Sequence, residues 1–80
     1  MSGLTLLAAL KAFDATARAG SMTAAAKLLD LQQPTISAHI QRLENEYGVE
    51  LFLRQGRRLE LTTFGRTLLD YTRRAFSGEE

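Results

Sequence analysis

Cysteine is absent from this sequence, proline occurs once, and the formal net charge is only +1 over 80 residues. Without cysteine there is no disulfide, no thiolate metal site and no cysteine nucleophile. Long apolar runs are missing too: Lys11 and Asp14 interrupt the stretch that opens at Leu4, and nothing approaches the roughly 18 apolar residues of a membrane span. Met1-Ser2-Gly3 lacks the basic region of a secretory signal. These absences together fit a cytoplasmic protein with no membrane partner. The length sets one domain that buries roughly 60% of its unfolded surface, too little for a deep-pocketed enzyme. What is present is a globular balance, 45% hydrophobic against 24% charged residues.

The small total charge conceals a partition. Residues 32–50 hold Arg42 against Glu44, Glu46 and Glu50, whereas residues 51–66 hold Arg54, Arg57, Arg58 and Arg66 against Glu60, a local net charge of +3. Positive charge therefore gathers around a short segment with Gly56 at its middle. Such a segment is either a solvated turn or an arginine-bearing loop aimed at phosphates or a groove.

Apolar spacing divides the chain into elements. Leu6, Leu10, Phe13 and Ala17 recur at helical steps and predict a helix over 4–18, ended by Ala19-Gly20-Ser21. Thr23 then caps a short helix over 24–30 with Ala25, Ala26 and Leu29 inward. Pro34 is tolerated in a first helical turn, so a third helix runs from Gln33 to Tyr47 with Ile36, Ile40, Leu43 and Tyr47 on its inner face, and Gly48 stops it. Its other face shows Thr35, Ala38, His39 and Arg42, with Ser37 and Gln41 at the margins. Leu51–Arg54 and Arg58–Leu61 flank Gln55-Gly56-Arg57 as a two-stranded hairpin. Thr62 or Thr63 caps a last helix reaching at least Phe76, with Phe64, Leu68 and Tyr71 inward. The apolar pattern of Leu68, Leu69, Tyr71 and Phe76 is still running when the chain stops at Ser77-Gly78-Glu79-Glu80, as expected of a cut through a longer protein. The expected fold is mainly α: a winged helix-turn-helix whose wing is a two-stranded β-hairpin, followed by a C-terminal helix.

The third helix suits the major groove, where side chains of a first turn meet base edges. Gln33 can pair bidentately with adenine or donate to guanine, or serve only as a surface glutamine at a helix start. Gln32 caps the helix or touches phosphate, and Pro34 and Thr35 can meet a thymine methyl. Ser37 and His39 suit phosphate or base contact; His39 has no second histidine or cysteine with which to complete a metal shell. Arg57 and Arg58 at the hairpin tip can enter a minor groove or clamp phosphate. Ser21 and Thr23 stand where the second helix of this motif crosses the backbone, and capping accounts for Thr23 equally well. Arg54 either joins the DNA contacts or braces the hairpin by a salt bridge. No catalytic constellation, glycine-rich phosphate loop, metal site or cofactor motif stands out. The alternative to DNA binding is a winged helix used only for protein contact or dimerisation, which the near-neutral total charge would suit.

Leu10 and Phe13, Gly20-Ser21, Thr23, Ala25-Ala26, Leu29, Gln33-Pro34 and Ser37 form an ordered set, continued by Ile40, Leu43-Glu44, Gly48, Leu51-Phe52, Arg54, Arg57, Leu61-Thr62, Gly65 and Leu68-Leu69. In order and spacing it resembles the N-terminal DNA-binding domain of LysR-type transcriptional regulators, over about residues 4–76. The resemblance implies a winged domain over 1–61 and the start of a linker and dimerisation helix over 62–80. It further implies double-stranded DNA with an inverted-repeat operator as partner, a homodimer through the last helix, and a tetramer for a full-length protein. A small-molecule effector would bind a C-terminal domain absent from these 80 residues. Family contacts fall on Gln33, Pro34 and Ser37, and the wing arginine on Arg57. Departures are Gln32 where many members have serine, Ala38 where they have arginine, Met22 where they have phenylalanine, and Thr63-Phe64 after the capping threonine.

Overall fold

In the structure, a computed structural model, residues 3–56 and 58–77 are described. Three helices, α1 (Gly3–Ala19), α2 (Met22–Leu29) and α3 (Gln33–Tyr47), precede a hairpin of β1 (Phe52–Gln55) and β2 (Arg58–Leu61), and α4 (Thr63–Phe76) follows. The expected order holds throughout, and the third helix has the expected limits.

Each boundary has a local cause. Gly20, at φ 83°, turns the chain so that the cap falls two residues before the expected Thr23. Ser21 is therefore the last extended residue, and its Oγ accepts from the Ala24 amide at 3.1 Å. Thr23 consequently lies inside α2 and does not cap it. The helix ends on Asp30, left-handed at φ 55°, with the Leu31 amide donating back to the Ala26 carbonyl at 2.9 Å. Gly48 ends α3 in the same way, at φ 65°, with the Val49 amide donating to the Glu44 carbonyl.

The first strand begins one residue later than its apolar pattern suggests. Leu51 is buried, its amide donates to Glu44 Oε2 at 2.8 Å, and its carbonyl accepts from the Thr62 amide at 3.1 Å. Its backbone groups are thus spent before the ladder starts. Pairing is antiparallel from Phe52↔Leu61 to Gln55↔Arg58, and Gly56 leaves β1 at φ 63°. Thr62, not Thr63, caps α4: its Oγ1 accepts from the Gly65 amide at 3.0 Å and donates to the Glu50 carbonyl at 2.6 Å.

Two apolar clusters meet at Phe52. Ala12, Ala15, Ala25, Ala26, Ile36 and Ile40 pack the three helices together, the alanines permitting close approach. Ala9, Phe13, Leu43 and Leu51 form the other, which carries the hairpin and α4. Phe13 and Phe52 join them, with ring centroids 5.4 Å apart and planes at 44°.

Tyr47, Phe64 and Tyr71 are not inward, being 57%, 61% and 63% exposed. The face of α4 that reaches the core instead carries Gly65 and Thr72, both buried, with Leu68 and Leu69 half-buried. A Cβ on Gly65 would collide with the Leu51 carbonyl oxygen, so only glycine permits this approach. The three exposed rings border an open apolar groove with Leu6, Leu10, Val49, Leu51 and Leu68, uncovered by the described chain.

Candidate nucleic-acid interface

Burying Ile36, Ile40 and Leu43 sets the rotation of α3. At 100° per residue, Pro34, Ala38, Gln41 and Asn45 then form its outer ridge, and all four are exposed. Gln41 donates to Asn45 Oδ1 at 3.3 Å. Gln41 therefore belongs to the centre of the face, not its margin, and Asn45 extends it; the inner trio, taken as a direction, already implies both positions. No acidic residue occurs between Leu31 and Leu43, so the leading half of α3 offers amide, hydroxyl and apolar groups.

Gln32 is extended and occupies the N-cap position, yet its side chain makes no cap bond. Both Gln32 and Gln33 are exposed, and Gln33 Nε2 lies 3.8 Å from Met22 Sδ. Thr35 and Arg42 stand exposed on one flank of the ridge, with His39 half-buried between them. His39 Nδ1 is enclosed without a hydrogen-bond partner among the described residues, so the other ring edge is the one open to an outside contact. On the opposite flank Ser37 faces the wing, where it lines a small cleft with Met22, Gln41, Arg54 and Leu59.

The hairpin register separates arginines that are neighbours in sequence. Arg54 pairs with Leu59 and Phe52 with Leu61, and alternation puts these four on the side turned to the helices. Arg54 thus edges the cleft beside Ser37, and among the described residues no acid forms the bracing salt bridge with it. Arg58 is exposed on the outer side of the wing with Leu53, Gln55 and Glu60. Arg57 lies outside the described residues. Ser21 caps α2 and Thr23 lies in its first turn, with the Ser21 oxygen as the cap acceptor.

The site is thus a polar helix face with a cationic ribbon beside it. Residues 7–66 match the family described as bacterial regulatory helix-turn-helix protein, lysR family. The chain belongs to the LysR family. Its fold is the winged helix-turn-helix of LysR DNA-binding domains. Among curated relatives, the HTH-type transcriptional regulator y4mQ of Sinorhizobium fredii is 46% identical over 72 residues, 90% of this chain and 24% of that protein. The RuBisCO operon transcriptional regulator of Allochromatium vinosum is 44% identical over 64 residues, 80% of this chain and 21% of that protein. The chain thus spans about a fifth to a quarter of the length of these LysR relatives. Among solved structures, the CbnR_DBD–DNA complex is 45% identical with a TM-score of 0.79, covering 86% of this chain and 79% of that one. The BenM_DBD/catB site 1 DNA complex is 35% identical with a TM-score of 0.84, covering 90% of this chain and 81% of that one.

Proposed function

We propose that this chain is the DNA-binding domain of a transcription factor, reading double-stranded DNA through the leading half of α3. The observation that carries this reading is the exposed, acid-free face from Gln32 to Arg42, set beside an arginine-bearing wing. The solved complexes of CbnR and BenM with DNA, at 45% and 35% identity, support it. Gln33 reads a base edge in the major groove, Pro34 and Thr35 pack on thymine methyls, and Ser37 with Gln32 completes the readout. Ser21, Thr23, His39 and Arg42 contact phosphate, while Arg54, Arg57 and Arg58 hold the wing to phosphates or the minor groove. The protein-contact reading is not favoured, because every relative named above is a transcriptional regulator. The same relatives argue against catalysis.

The winged unit over 1–61 reads DNA, and 62–80 begins a linker helix through which two copies pair. The apolar groove bordered by Tyr47, Phe64 and Tyr71 supports that pairing. A dimer places two α3 helices in successive major grooves of an inverted repeat. A full-length protein, which would act in the bacterial cytoplasm, assembles further into a tetramer and takes its small-molecule effector in a C-terminal domain outside these 80 residues. This domain itself requires no cofactor. Selection from a random duplex library, followed by titration of the selected sequence, tests the reading. Enrichment of an inverted repeat is expected; a library that stays random overturns it.

A further inference from the structure

We propose that Met22 sets the orientation in which Gln33 presents its amide to a base, making Met22 a positioning residue for sequence specificity. The inference rests on the reading above that Gln33 contacts DNA. Gln33 is the first residue of α3, and among the described residues Met22 is its only side-chain hydrogen-bond partner, with Nε2 3.8 Å from Sδ. Met22 is itself held: it opens α2, is half-buried, and packs on the cluster of Ala12, Ala25 and Ile36. It also lines the cleft containing Ser37 and Arg54, so its side chain joins the core to the edge of the reading face.

A thioether sulfur has lone pairs and no hydrogen, so it accepts weakly and donates nothing. It therefore distinguishes the two ends of the carboxamide. Nitrogen towards Met22 makes an N–H···S contact, whereas oxygen there sets lone pair against lone pair. Nε2 carries two hydrogens, and only one is used on the sulfur. With the hydrogen anti to Oε1 on the sulfur, the other lies beside Oε1, and the outward edge keeps one acceptor and one donor in fixed order. That edge matches adenine, whose N6 donates to Oε1 while N7 accepts from Nε2. Met22 thereby favours adenine over guanine, whose major-groove edge offers two acceptors and suits a freely turning amide less selectively.

The test compares the natural protein with one carrying norleucine at position 22, which replaces sulfur by a methylene, and with Met22→Leu and Gln33→Ala. Binding is measured on the selected operator and on duplexes changed one base pair at a time. Norleucine and Met22→Leu are expected to lower adenine discrimination at one position by about 2- to 3-fold, the low end for one hydrogen bond. Affinity for unrelated DNA and the melting temperature of the norleucine protein stay the same. The relaxed position is the one relaxed by Gln33→Ala, and Met22→Leu adds nothing in that background. Selective binding with unchanged discrimination in the norleucine protein overturns the proposal alone. Relaxation at another position, or persisting on top of Gln33→Ala, does the same. A natural protein without selective binding overturns the reading beneath it and the proposal together.

Discussion

Thr72 Oγ1 donates a hydrogen bond to Asp14 Oδ1 at 2.8 Å, linking α4 to α1 across 58 residues of sequence. Both residues are buried, and the other carboxylate oxygen pairs with Arg18 Nε at 3.0 Å. A hydroxyl and a carboxylate withdrawn from water together are each tolerated because the other is there. The pair fixes where the last helix leaves the body, and with it the path of any dimer built on that helix.

Thr72→Val should therefore cost about 1–3 kcal/mol, because the nearly isosteric change leaves a buried carboxylate oxygen short of a donor. Thr72→Ser keeps the donor and should cost less. Urea unfolding of the three proteins checks the order; equal stability of the valine and natural proteins would sink the assignment.

Gly65→Ala should be more damaging than its single methyl suggests. The added Cβ meets the Leu51 backbone carbonyl and Leu61 Cδ2, and a carbonyl fixed by the Thr62 amide has little room to yield. A loss of about 2 kcal/mol or more is expected, within the range for forced overpacking. Gly48→Ala, with open space around it but a φ of 65°, should cost about 1 kcal/mol through backbone strain alone. Thermal melts of the two variants separate collision from conformation.

Phe13→Ala should remove a large share of the domain's stability. Phe13 is fully buried and links both clusters through Phe52. Its truncation costs about 3–5 kcal/mol, while a domain of this size is stable by only about 4–12 kcal/mol. A transition shifted to much lower temperature by circular dichroism is the expected reading.

Much of this fold was legible because its signals are local. Helix α3 follows from Pro34 at one end, Gly48 at the other and Ile36, Ile40 and Leu43 between. The hairpin was visible around Gly56. What escaped the sequence depended on residues distant in the chain. Glu44 read as one acid among three, yet its carboxylate holds the Leu51 amide and displaces the first strand by a residue. Thr72 carried no signal, because a threonine on an amphipathic helix looks like solvent-facing polarity until Asp14 is known to lie opposite. Phe64 and Tyr71 followed apolar periodicity correctly but pointed to an uncovered groove instead of this domain's own core. At the reading face, the amide and hydroxyl residues were recognisable as a set. The division of the arginines was not, since Arg54 and Arg58 part company only through the strand register.

The wing and helix should separate in their salt behaviour. Arg58→Ala is expected to weaken binding to all duplexes alike and to flatten the salt dependence by about 0.9 for each phosphate it no longer neutralises. Gln33→Ala should leave the salt slope unchanged and relax the preference at one base pair by about 1–3 kcal/mol. Titrations at several salt concentrations distinguish the two signatures.

The proposed pairing through the last helix should fail when the groove it borders is charged. Phe64→Glu and Tyr71→Glu replace exposed rings that make little of the domain's own core, so folding should persist while self-association is abolished. Sedimentation equilibrium is the check: a concentration-dependent dimer in the natural protein and a monomer in the variants is expected.

The most direct test of the central claim is the affinity of this domain for its selected operator relative to a scrambled duplex, measured by fluorescence anisotropy across a salt series. A sequence-reading α3 predicts tighter operator binding by about 10³-fold or more, affinity for both duplexes falling as salt rises, and collapse of most of the preference in a Gln32→Ala, Gln33→Ala double variant. Equal binding to both duplexes, or a preference that survives removal of both glutamines, would contradict it.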